Sequence, residues 1–131
     1  MKLRFSSVLS GVSVFLVAAF NLFAGVMKFM PVAPGSPPEA MMSKLGITVT
    51  LDHALGVLEL SIVLLFLIPR TSTIGFILLV GYMGGALATN LTHGFSNMEA
   101  LPIYITFAFL LIIGWIRHPE LTSRLLKRPV S

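Results

Sequence analysis

From Phe5 to Met27 the chain runs for 23 residues without a charge. A helix of that length crosses about 30 Å of hydrocarbon, and few soluble folds tolerate such a segment. Lys2 and Arg4 precede the run and Lys28 ends it. A cleaved signal peptide is the rival reading, with Val17-Ala18-Ala19 as a weak cleavage site. The apolar run continues well past that point, so the segment is expected to be retained as a first span of about residues 5–30.

The rest of the chain has the same character. Hydrophobic residues make up 56% and charged residues 11%, with a mean hydropathy of +0.94. Soluble domains carry about a quarter charged residues, so a soluble fold of this composition lacks the charge to cover itself. The 131 residues suffice for one domain, expected to be a single integral membrane unit over 1–131. The net charge of +4 raises the question of nucleic acid, but the basic residues flank apolar runs and gather on no soluble face. No nucleic-acid partner is expected. Cysteine is absent, which removes disulfides, thiolate nucleophiles and cysteine-ligated zinc or iron–sulfur centres.

Three more spans follow, giving an all-α, four-transmembrane-helix bundle. The second covers about 51–68 and ends at Pro69-Arg70; the third covers about 72–92 and carries Gly75, Gly81, Gly84 and Gly85. The fourth, about 98–116, opens at a capping box from Ser96 to Glu99 and has Trp115 at its inner end. A short basic tail, 117–131, closes the chain. Between the first two spans, Pro31, Pro34, Pro37 and Pro38 break the helix. Within that connection Ser36, Pro37 and Glu39 signal a short helix ended by Gly46, expected to lie on the membrane surface as spacer or lid.

Counting Lys and Arg gives seven on one side (Lys2, Arg4, Arg70, Arg117, Arg124, Lys127, Arg128) against two on the other, Lys28 and Lys44. Positive residues favour the inside. Both termini are therefore expected in the cytoplasm, with the chain in a bacterial inner membrane.

Polar groups within a bilayer are costly and ask for a reason. Glu59, near the centre of the second span, is the strongest case: an ionised acid at mid-span costs about 2.5–3.5 kcal/mol on insertion scales. It is expected to face the bundle interior, as a functional carboxyl or as a structural tie between helices. Asp52 shares its helical stripe, seven residues earlier, with Gly56 between them. Asn21 and Lys28 are likewise seven apart. His53, Asn90, His93 and Tyr104 complete the ligand-binding candidates, and Glu59 and His93 are the candidates for proton transfer. At about 1.5 Å of rise per residue, Asn21 and Glu59 sit at one level and the others lie outward of it. The inner half is expected to be nearly all apolar, leaving an outward-opening pocket with Glu59 at its floor. Lys28 either neutralises Asp52 or Glu59, or snorkels to the interface. Haem held by His53 and His93 is chemically open without cysteine but less expected than ordinary interfacial histidines. No metal site is expected. Gly81, Gly84 and Gly85 form a small-residue face, for packing within the bundle or for a partner or second copy.

Several short motifs now line up in order. Phe23-Ala24-Gly25-Val26-Met27-Lys28 ends the first span, Gly56-Val57-Leu58-Glu59-Leu60 sits in the second, and Ile68-Pro69-Arg70-Thr71 follows it. Gly84-Gly85-Ala86 and Thr89 lie in the third, and Trp115-Ile116-Arg117-His118-Pro119-Glu120-Leu121 closes the fourth. The series resembles the DoxX-like branch of the DoxX family over nearly the whole chain. The resemblance implies a small four-helix bacterial membrane protein, with the family's lysine of the first span and glutamate of the second at Lys28 and Glu59. Relatives are described as subunits of a thiosulfate:quinone oxidoreductase, partners of oxidative-stress enzymes or quinone-resistance proteins. The absence of cysteine departs from any thiol-based role.

Two functions are carried forward. The first is binding of a small lipophilic molecule, such as a quinone, beside Glu59. The second is a non-catalytic subunit or assembly partner in a membrane redox or stress-response complex. Transport is a weaker third, since four helices make a narrow bundle with no broken helix.

Overall fold

The computed structural model describes residues 2–126 and contains helices only among them. They are α1 (Lys2–Met27), α2 (Pro37–Leu45), α3 (Val49–Leu67), α4 (Ser72–Thr92), α5 (Leu101–Arg117) and α6 (Pro119–Leu126). Lys127 and Arg128, which entered the charge count, lie outside the described residues.

α1, α3 and α4 are long and apolar enough to cross a membrane; α5, with 17 residues, reaches that length only together with α6, across a 90° bend. The four long helices close into a ring, α1 against α3, α3 against α4, α4 against α5 and α5 back against α1. Val17, Ile62, Val63, Phe66, Leu79, Met83, Leu110 and Ile113 fill the core. Phe5, Phe15, Phe23, Leu64, Ile77 and Leu111 are turned outward. Contiguous apolar surface on that scale needs lipid, not water, as its solvent.

Local chemistry sets the helix ends. Thr48 starts α3 by accepting the Leu51 N–H at 3.2 Å, and Pro69 stops it. The hydroxyl of Thr71 donates to the Leu65 carbonyl at 2.8 Å, fastening the turn into α4. That turn brings Gly75 against the backbone of Leu65 and Phe66, where a Cβ would overlap main-chain atoms.

Several boundaries differ from the sequence expectation: α1 ends at Met27 and not near residue 30, and α3 begins two residues early, at Val49. In α2 the expected box is displaced by one residue: Glu39 accepts the N–H of Gly35, and the Ser36 side chain caps nothing. Gly46 ends α2 with φ 69°, as a left-handed C-cap. No residue of α2 is buried. The box at Ser96 and Glu99 does form, at 2.7 and 3.2 Å, but it closes a turn ahead of α5, which begins at Leu101 with Pro102 in its first turn.

Glu99 is fully exposed, and the Ser96 backbone N–H, then the Ser96 side chain, hold its carboxyl below the ordinary value. A lowered folded-state pKa means that this contribution is present above the ordinary glutamate range and is lost as pH falls through the lowered value. In an NMR titration in detergent, the Ser96 amide proton is expected to report a midpoint below that of an ordinary glutamate. A midpoint at the ordinary value would show that the box does not persist in solution.

Candidate functional site

Lys28 lies just beyond the end of α1, and its side chain turns back along the helix. Its Nζ donates to the Ala24 carbonyl at 3.3 Å and to Glu59 Oε2 at 2.6 Å. Glu59 is 2% exposed, in the middle of α3. Tyr82, from α4, donates its hydroxyl to the same Oε2 at 3.1 Å. A buried carboxylate is thus held by an ammonium from just past α1 and a phenol from α4, a charge-assisted arrangement that accounts for its tolerance in hydrocarbon. Two glycines make the approach feasible. At Gly25 an added Cβ would press on Leu60 and touch Glu59, and at Gly56 it would meet Phe29 and the Lys28 stem.

Above this centre lies a recess of about 220 Å³, lined by Lys28, Phe29, Met30, Pro31, Val32, Met42, Val49, Asp52 and His53. The His53 ring stacks on Phe29 with centroids 5.4 Å apart. Lys28 belongs both to this recess and to the buried pair. Asn21, fully buried in α1, donates Nδ2 to the Val17 carbonyl at 2.9 Å, while its Oδ1 finds no partner among the described residues.

The remaining candidates are spent locally. Asn90 is buried and donates to the Ala86 carbonyl at 2.7 Å. His93, at the end of α4, sits with Nδ1 at 2.8 Å from the Thr89 carbonyl and 3.3 Å from the Thr92 hydroxyl. Tyr104 donates to Asn97 Oδ1 at 2.9 Å. Neither these three nor Asn21 and Glu59 line the recess, so the expected floor at Glu59 is not found: of the candidates, Lys28, Asp52 and His53 border it.

At three places the structure departs from the sequence expectations or adds to them. Of the two readings of the small-residue face, packing within the bundle is not seen among the described residues: a Cβ at Gly81, Gly84 or Gly85 would meet nothing within 4 Å. The half of the bundle expected to lie inward is not nearly all apolar. Ser10, Ser13 and His118 are buried there, with Arg117 Nε donating to Ser10 Oγ at 3.1 Å. Thr73 lies 3.3 Å from His118 Nδ1 and donates to Glu120 Oε1 at 2.9 Å. Glu120 is held below the ordinary carboxylate value by its own backbone N–H first, then by the Thr73 hydroxyl and His118. Finally, the basic tail, for which the sequence suggested no element, is helical over Pro119–Leu126, as α6. Sequence reasoning also missed Tyr82; its one signal was a phenol deep in an otherwise apolar span, a polar tip that needs a partner when buried.

A family model for DoxX-like proteins matches residues 12–116. The chain belongs to the DoxX-like family. With its apolar helices, this makes it a membrane protein. No curated protein and no solved structure matched it. The part of this DoxX-like chain that matches contains Lys28, Glu59 and Tyr82, whereas α6 lies beyond it.

Proposed function

We propose that this DoxX-like protein crosses a bacterial inner membrane four times, both termini cytoplasmic, and binds a small lipophilic molecule with a polar, quinone-like head. The supporting observation is Lys28, whose ammonium borders the outer recess and also holds the buried Glu59 carboxylate. A head group entering the recess meets one donor already tied to an acceptor below it. Phe29, Met30, Val32, Met42 and Val49 supply apolar wall for a ring, and Asp52 and His53 supply a polar rim. This combination of apolar lining with few polar groups is what small-ligand sites share. If proton transfer accompanies binding, Glu59 through Lys28 is the better placed group, since His93 lies outside the recess. Glu59→Gln is expected to abolish binding of a short-chain quinone to the purified protein while leaving its helical circular dichroism unchanged. Undiminished binding by the folded variant would refute the reading.

A second reading, as a non-catalytic subunit of a membrane complex, is favoured by the open face of α4. Gly81 and Gly85 stand one helical turn apart with free space before them, room for a close-packed helix of a partner or a second copy. Gly81→Leu would then release that partner in a detergent pull-down.

A further inference from the structure

We infer that α6 is a surface helix that seats its leucines in the headgroup layer of anionic lipids at the arginine-bearing end of the bundle. The chain turns by 90° between α5 and α6. The turn is fastened from several sides: Thr73 of α4 holds Glu120, the Leu121 N–H donates to the His118 carbonyl at 3.0 Å, and the His118 ring lies 4.8 Å from that of Phe76. With α5 as the fourth crossing, a right-angle bend lays α6 along the membrane plane.

The faces of α6 suit that position. At about 100° per residue, Leu121, Thr122, Leu125 and Leu126 occupy one arc, and Glu120, Ser123 and Arg124 the other. Leu125 is 83% and Leu126 69% exposed, and α5 is the main helix that α6 packs against. Trp115, one turn before the bend, is also largely exposed, as interfacial indoles are. The charge at this end is positive: Arg4, Arg70, Arg117 and Arg124 are all exposed here. Apolar side chains on a short helix beside a cluster of cations fit an anionic bilayer surface better than a neutral one.

The natural absence of cysteine makes the test direct. Single cysteines replacing Leu111, Ser123 and Leu125 would carry a polarity-sensitive fluorophore in the full chain. The proteins would be reconstituted in phosphatidylcholine vesicles with and without phosphatidylglycerol. With phosphatidylglycerol, the probe at 125 is expected to be shielded from iodide and quenched by headgroup-level nitroxide lipids, while the probe at 123 stays open to iodide. Arg124→Gln should reduce the ratio of docked to undocked probe about fivefold, the contribution of one basic side chain at an anionic surface. The probe at 111 should be quenched by lipid throughout; failure there would refute the fourth crossing itself. Lipid contact at 111 with equal iodide access at 123 and 125 would overturn the docking of α6 alone. So would shielding at 125 that rises with protein density, which would assign the leucines to a second copy.

Discussion

Lys28→Met is expected to destabilise the protein by about 3–5 kcal/mol, the usual result of stranding one member of a buried ion pair. The two partners are not equivalent. The Glu59 side chain is 3% exposed and the Lys28 side chain 22%. Without lysine, the carboxylate keeps only the Tyr82 hydroxyl and cannot reach water. Without glutamate, the ammonium can turn into the recess. Glu59→Gln should therefore cost clearly less than Lys28→Met, and the double substitution should recover most of the loss. Unfolding in mild detergent, followed by circular dichroism, measures all three. Equal losses in the single and double variants would mean that the pair contributes through packing, not charge.

Gly75→Ala is the second large effect, about 3 kcal/mol, the upper range for an overpacked site. A methyl group there meets main-chain atoms of Leu65 and Phe66, which cannot rotate away. At Gly114 the corresponding neighbour is the Phe76 ring edge, which can shift, and a smaller loss is expected. Gly81→Ala faces nothing and should fall within about 0.5 kcal/mol of the parent. Thermal melts of the three variants would give this order. A Gly75 variant as stable as Gly81→Ala would show that the α3–α4 turn has room to open.

These contrasts mark what was legible in the sequence. The third long helix could be read at about 72–92, where α4 lies, because polar residues flank an uncharged run of span length. Lys28 and Glu59 could be singled out because a charge in such a setting needs a partner, though not which one. Tyr82 escaped notice because its distance from Glu59 depends on how α3 and α4 rotate against each other, which hydropathy does not encode. The glycine pattern misled for a related reason. A small-residue series shows where two helices are able to approach, whereas the tight contacts fall at isolated glycines set by the actual helix pairs: Gly25, Gly56, Gly75 and Gly114. α6 was hidden because eight residues among basic tail positions carry no span-like signal.

The ring of helices also imposes an order of assembly. Among the described residues, the side chains that bind Glu59 are Lys28, just past α1, and Tyr82 of α4, so the ion pair can form before α5 is in place. The neutralisation of the Glu59 charge therefore needs no residue of the fourth long helix. Only the seam between the first and last long helices, tied at Ser10 and Arg117, has to wait for α5.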